Sequence, residues 1–251
     1  RGLTHADFRS VWLGAGDADD LGEVELDLAD DEHLEKLRSR MSRPTPWGAT
    51  RTPPSATELR KWAEMDVTGG SRSWQVPKPS VTVDDGDEVV LGGRTWLAVH
   101  TPGHTHDHLC LFDPADGLLL SGDHVLPTIT PHINGIGPMD DPLATFFRSL
   151  ERMKELPGVT NVLPAHGHPF TDVAGRVDAI LGHHEERLET IREAGDDLGN
   201  GTVESFMQRL FKERSWGDMA ASETYAHLEH LRILGLATRD ELAGQAIYRT
   251  R

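Results

Sequence analysis

The chain has 251 residues, enough for one large α/β domain or for a medium domain and a small one. Its formal net charge of −16 disfavours non-specific nucleic-acid binding, because an acidic surface repels the phosphate backbone. No apolar run approaches the roughly 18 residues of a membrane span, no signal peptide opens the chain, and the single cysteine, Cys110, excludes an internal disulfide. We therefore expect a soluble, cytoplasmic protein.

The first eighty residues carry few regular patterns. A strand is predicted at Val11 to Gly14, and a short helix is predicted from Asp31 to Met41. Residues 43–57 contain four prolines, so we expect an ordered loop or lid there. A second short helix is predicted from Ala56 to Met65.

From residue 81 onward the pattern changes to short strands. Predicted strands cover residues 81–83, 88–91, 96–99, 109–112, 118–120 and 159–163. Apolar residues at helical spacing predict a helix from Pro142 to Leu156, which Pro157 and Gly158 end. Three loops rich in histidine and aspartate follow strands, and loops at sheet edges are where α/β proteins build their sites.

The last third of the chain is predicted to be mainly helical. The longest amphipathic helix runs from Asp172 to Ala194, and residues 195–201 are predicted to be a linker. Thr202 is the predicted N-cap of a helix through Leu210, and a further helix from Glu223 to Leu234 precedes two short strands. This order predicts a larger α/β domain over residues 1–195 and a small winged-helix-like domain over residues 196–251.

The stretch from Val99 to His132 has the composition of a metal site. It holds six of the fourteen histidines and two aspartates that directly follow apolar strands. Neutral imidazole nitrogens and carboxylate oxygens are donors that zinc accepts in proteins.

Three motifs occur in order: T-P-G-H-T-H-D-H at residues 101–108, L-L-S-G-D-H-V-L-P-T-I-T-P at residues 119–131 and L-P-A-H-G-H-P-F at residues 163–170. They resemble the metallo-β-lactamase superfamily, above all its hydrolase branch with a C-terminal winged-helix tail. That branch is similar to glyoxalase II-like thioesterases and to animal β-lactamase-like endoribonucleases. The resemblance implies an α/β fold, an αββα sandwich with an incomplete N-terminal part, followed by the winged-helix-like domain.

The resemblance also implies a set of site residues. His104 matches the histidine that completes a first metal site, Asp123 the carboxylate that bridges two metals, and His166 the late histidine of the second site. His5 is a further implied ligand, and Asp123 and His124 are the predicted catalytic residues. Two zinc ions are implied if the first-site motif is present, with iron or manganese as alternatives, and a metal-bound hydroxide is the implied nucleophile.

One part of the family pattern is missing. The H-x-H-x-D-H motif does not occur in the sequence, and only Thr4-His5 resembles its beginning. Because the later motifs are intact and the chain begins within an element, an omitted segment is favoured over a truncated or degenerate protein. Both alternatives stay open.

The remaining histidines are predicted to support the site or to lie on the surface. Of these, His108 and His124 rank first as groups that orient ligands or contact substrate. His183 and His184 are predicted to be ordinary surface and core residues of the long helix. The supporting set is His100, His106, His108, His124, His132 and His168.

The leading prediction for function is metal-dependent hydrolysis of a thioester, ester or lactone, which makes the partner a small-molecule acyl substrate. A single-strand endoribonuclease of the same fold is one alternative, and a basic patch around the site would favour it. A catalytically inactive binding or scaffold protein is another, if the H-x-H-x-D-H motif is truly absent. Nucleic-acid and membrane partners are disfavoured, and a homodimer is left open.

Overall fold

The computed structural model describes residues 31–64 and 83–251. The described part begins with two short helices, α1 (Asp31–Met41) and α2 (Ala56–Glu64), at the predicted positions. The proline-rich segment between them has no regular structure, as the sequence predicts. Buried leucines of the two helices form a small core of their own: Leu34, Leu37 and Leu59.

A five-stranded sheet lies at the centre of the described part of the chain. Its strands are β1 (Glu88–Leu91), β2 (Arg94–His100), β3 (Leu109–Asp113), β4 (Leu118–Gly122) and β5 (Asn161–Pro164). They lie in sequence order, with antiparallel pairing from β1 to β4 and parallel pairing of β5 with β4. Because β2 and β4 are both antiparallel to β3, the strands β2, β4 and β5 run in one direction. The loops that follow these three strands therefore leave from the same edge of the sheet.

Helix α3 (Pro142–Glu155) makes the crossover from β4 to β5 and covers one face of the sheet. Asp141 caps its first turn by accepting a hydrogen bond from the backbone N–H of Ala144 at 2.9 Å, and Pro142 occupies the first helical position, where no N–H is needed. The buried face consists of fully covered apolar side chains, each of which stabilises the fold by roughly 1.5–3 kcal/mol. These are Leu143, Phe146, Leu150 and Met153.

The C-terminal elements follow the predicted order. They are α4 (Val173–Leu198), β6 (Gly201–Thr202), α5 (Val203–Leu210), α6 (Asp218–Ile233), β7 (Ala237–Leu242) and β8 (Gln245–Thr250). The three strands form a small sheet in the order β6-β8-β7, and Thr202 caps α5 through the backbone N–H of Ser205 at 3.2 Å. The elements expected for a winged helix are thus present, while the winged-helix assignment, the αββα sandwich and the domain boundary stay predictions.

The predicted linker after Ala194 is wrong in its first half, because α4 continues through Gly195 to Leu198. The predicted strand at Val11 to Gly14, the start of the strand at residue 81 and the candidate ligand His5 lie outside the described residues. None of the helices in the described ranges combines the length and the apolar character that a membrane crossing requires.

Candidate metal centre

The structure brings three of the predicted metal ligands together at the edge where β2, β4 and β5 end. His104 follows β2, Asp123 directly follows β4, and His166 follows β5. The Nε2 atom of His104 lies 4.0 Å from Oδ2 of Asp123, and the Nε2 atom of His166 lies 3.4 Å from Oδ1 of the same carboxylate. The carboxylate therefore lies between the two histidines and turns one oxygen towards each.

This donor set fits a zinc-type ion. Asp123 Oδ1 is buried and makes no hydrogen bond, although a buried carboxylate oxygen without a partner is costly. A cation next to this oxygen would satisfy it, and two imidazole nitrogens flank the position. Side-chain exposure rises from 12% at His104 to 33% at Asp123 and 69% at His166, so the site opens to solvent on the His166 side.

The loop after β2 orients His104. A backbone hydrogen bond from Thr101 N to His108 O at 2.8 Å joins the two ends of this loop. A second one, from Gly103 N to Thr105 O at 2.9 Å, spans His104 itself. The Nδ1 atom of His104 lies 2.6 Å from the carbonyl oxygen of His132. Because a carbonyl can only accept, Nδ1 carries the proton and Nε2 presents its lone pair towards Asp123. Metal-ligating histidines in proteins are typically held in this way.

His108 supports the loop that carries Asp123, which is one of the two roles that the sequence analysis predicts for it. The backbone N–H of Asp123 donates to His108 Nε2 at 3.2 Å, and His108 Nδ1 lies 2.7 Å from Thr101 Oγ1. Burial, together with the nearby His104, lowers the pKa of His108 to about 4. The neutral ring thus connects the loop after β2 to the loop after β4.

His124, a predicted catalytic residue, lies in the core beneath the site. Its side chain has no solvent exposure, its ring packs edge-on against Phe146 at 5.2 Å, and neither ring nitrogen has a hydrogen-bond partner within ordinary limits. Burial lowers the pKa of His124 to about 3, so the ring is neutral. A fully covered side chain does not reach a substrate, so the geometry favours support of the Asp123 loop over catalysis.

The other predicted supporting histidines are spread around the site. His100 is the last residue of β2, and its Nε2 atom hydrogen-bonds to the carbonyl of His106 in the loop that follows, at 2.9 Å. His168 is exposed two residues after His166. His132 is nearly buried and, through its carbonyl, forms part of the site itself.

A second histidine cluster lies between α4 and α6, and the sequence analysis missed it. One ligand atom each of His184, Glu223 and His227 lies within 4.8 Å of the others, and all three residues are buried. The only signal in the sequence is the spacing of Glu223 and His227, four residues apart on one helix. Their contact with α4 is a long-range one that no local pattern predicts.

The two histidine rings of this cluster form a neutral hydrogen-bonded pair. His227 Nδ1 donates to the carbonyl of Glu223 at 2.7 Å, which leaves His227 Nε2 as an acceptor for His184 Nδ1 at 3.0 Å. Burial lowers the pKa of His227 to about 4, and burial together with the His227 ring lowers the pKa of His184 to about 3. Both rings are therefore neutral at pH 7.

This pair makes the stability of the metal-free protein depend on pH. The unfolded chain binds protons on these histidines below about pH 6.5, whereas the folded chain does so only near pH 3–4. The free energy of unfolding is therefore expected to fall as the pH drops through this window, by up to about 1.4 kcal/mol per pH unit for each proton taken up. Urea unfolding at several pH values in the presence of chelator measures this slope. An H184Q/H227Q variant with an equally steep slope would contradict the assignment.

A carboxylate between two histidines, at the edge of a sheet where strands end, is typical of metal-dependent enzymes. The family model described as Metallo-beta-lactamase superfamily matches residues 24–166, more than half of the chain. The chain therefore belongs to the metallo-β-lactamase superfamily. Homologues with this fold are metal-dependent hydrolases.

Similar proteins come from several organisms. A hydroxyacylglutathione hydrolase of Idiomarina loihiensis is 33% identical over 130 residues, which cover 49% of this chain and 48% of that protein. A Beta-lactamase-like protein 2 homolog of Caenorhabditis elegans is 35% identical over 134 residues, 53% of this chain and 43% of that protein. The chain thus spans about half the length of the curated relatives it matches.

Two solved structures share the fold. A metallo-beta-lactamase family protein of Thermus thermophilus superposes with a TM-score of 0.66 at 28% identity, covering 80% of this chain and 60% of that one. A beta-lactamase domain protein of Burkholderia ambifaria gives a TM-score of 0.65 at 33% identity, covering 70% of this chain and 54% of that one.

Proposed function

We propose that this chain is a metal-dependent hydrolase of a thioester, ester or lactone, with His104, Asp123 and His166 as metal ligands. The observation that carries the proposal is the position of the Asp123 carboxylate, which faces His104 with one oxygen and His166 with the other. A carboxylate shared by two neighbouring cations offsets their repulsion, so a pair of zinc ions is proposed on the condition that the H-x-H-x-D-H motif is present.

The residues of the chain prepare this site in three ways. The carbonyl of His132 fixes the tautomer of His104, and His108 holds the backbone of Asp123. The buried Oδ1 atom of Asp123 has no hydrogen-bond partner, which leaves it available to a cation. Zinc bound there would polarise a substrate carbonyl and lower the pKa of water towards neutrality.

A small acyl compound is the proposed substrate. The similar protein of Idiomarina loihiensis is named for the hydrolysis of a hydroxyacylglutathione, which is a thioester. The net charge of −16 also favours a small carbonyl substrate over a phosphodiester polymer, because a long polyanion is repelled. The assignment of residues 196–251 to a winged-helix-like domain is a further part of the proposal.

The test is hydrolysis by the full chain loaded with zinc, on a panel of one thioester, one ester, one lactone and one single-stranded RNA. We expect turnover of a carbonyl substrate that chelator abolishes, and intact RNA. An H166A variant is expected to lose this turnover, while H168A, which alters an exposed histidine two residues away, is expected to keep it. Cleavage of RNA alone, or equal loss in both variants, would contradict the proposal.

A further inference from the structure

The segment between β4 and α3 connects the candidate metal site to the C-terminal helix α6. The carbonyl of His132 in this segment accepts the Nδ1 proton of His104 at 2.6 Å. The position of that carbonyl therefore decides which way the His104 ring turns, and hence where its Nε2 atom points.

The side chain of His132 is held from the other direction by Glu223 of α6. Nδ1 of His132 lies 3.3 Å from Oε2 of Glu223, and the two side chains are only 13% and 10% exposed. The other carboxylate oxygen, Oε1, is paired with Arg187 of α4. Burial by itself would raise the pKa of Glu223, but the His132 hydrogen bond and the Arg187 charge lower it to about 2, so the group is an anion.

A second contact fixes the same segment on the same helix. The backbone N–H of Gly135 donates to Ser222 Oγ at 3.1 Å, and that hydroxyl is also hydrogen-bonded to the side chain of Asn134. A Cβ at position 135 would lie 2.7 Å from the carbonyl oxygen of Ser222, so only glycine allows the segment to lie directly on the backbone of α6.

We propose that Glu223, assisted by Ser222, is a positioning residue for the metal site: α6 holds the segment of His132, and the His132 carbonyl holds the ligand His104. The proposal rests on the proposed function, because it takes His104 as a metal ligand. It makes the C-terminal part of the chain a working component of the site, although α6 contributes no ligand to it.

The same contacts argue against Glu223 as a ligand of a third metal ion with His184 and His227. Both carboxylate oxygens are already engaged, one by Arg187 and one by His132. His184 and His227 are hydrogen-bonded to each other, and the guanidinium of Arg187 would repel a cation bound at Glu223.

The experiment measures the zinc affinity of the full chain by competition with a chromogenic chelator. The double variant R187M/E223L removes the Glu223 carboxylate, which is the hydrogen-bond acceptor of His132. It also removes the guanidinium of Arg187 that pairs with this carboxylate, so no unpaired buried charge is left in the fold. We expect its zinc dissociation constant to rise about 10-fold or more, the lower end of the range for groups that support a ligand. In E223Q, which keeps an acceptor oxygen, a smaller rise is expected.

Glu229 offers a matched control, because it is a nearly buried carboxylate on α6 whose partners lie elsewhere: it pairs with Arg232 and Arg239 and accepts a hydrogen bond from Tyr248. An E229Q variant is expected to bind zinc like the unaltered chain. Thermal unfolding of the metal-free variants reports any general loss of fold. Zinc affinity of R187M/E223L equal to that of the unaltered chain would overturn the proposal.

An H104A variant separates this inference from the proposed function. If H104A binds zinc as tightly as the unaltered chain, the metal site itself is wrong, and the positioning role falls with it. If H104A loses affinity and R187M/E223L keeps it, only the positioning role is wrong. Loss in both variants, with E229Q unchanged, supports both.

Discussion

Replacement of Asp123 by alanine is expected to lower zinc affinity and hydrolysis together, each by at least about 100-fold. Loss of a group that merely supports a ligand typically costs 10–100-fold in metal affinity, and Asp123 is the carboxylate that faces both histidines. Without it, His104 and His166 have no shared anion, and two cations would repel each other without compensation. Zinc content after gel filtration and turnover of the acyl substrate are the two measurements.

Asp116 provides the control for this substitution. It lies in the turn before β4, at the opposite end of the strand from Asp123, and it pairs with Arg94 on the surface. D116A removes a carboxylate far from the candidate site, so zinc content and turnover are expected to stay unchanged. Retention of zinc and activity in D123A would refute the assignment of the site.

Replacement of Gly103 by alanine is expected to destabilise the chain by about 3 kcal/mol, because backbone strain and overpacking add together. Gly103 has a φ of +145°, and a Cβ at this position would lie 2.4 Å from Cβ and 2.5 Å from Cα of Phe146. Phe146 is fully buried in α3, so neither atom has room to move. Since His104 is the next residue, zinc affinity is expected to fall as well. Urea unfolding and chelator competition measure the two effects.

Gly158 separates strain from overpacking. Its φ of +74° disfavours alanine, but a Cβ there meets no atom within 4 Å. G158A is therefore expected to cost only about 1 kcal/mol and to leave zinc affinity unchanged. Equal losses of stability in the two variants would show that the contact with Phe146 is unimportant.

The strands and the meeting of the three motif residues could be predicted because their signals are local. Each of β2, β4 and β5 is a short, largely apolar run, and its motif residue follows within four residues. The direction of the strands then brings His104, Asp123 and His166 to one edge. The helix from Pro142 was equally predictable, since its four buried apolar residues repeat at helical spacing and Asp141 and Pro142 mark its start.

The features that sequence reasoning missed depend on tertiary contacts. Gly195 looked like the start of a linker, but it lies inside α4, where a Cβ would meet Thr250 Oγ1 at 1.7 Å. The glycine therefore does not end α4. Its missing side chain allows β8 to pack closely against the helix. Burial of His124 beneath the site, and the meeting of His184 with Glu223, likewise arise from the packing of elements that are distant in sequence.

The most direct measurement is the anomalous difference map of zinc-soaked crystals of the full chain, collected at the zinc absorption edge. We predict peaks next to Asp123, within ligand distance of His104 or His166. Zinc between His184, Glu223 and His227, with none at Asp123, would contradict both the proposed site and the positioning role of Glu223.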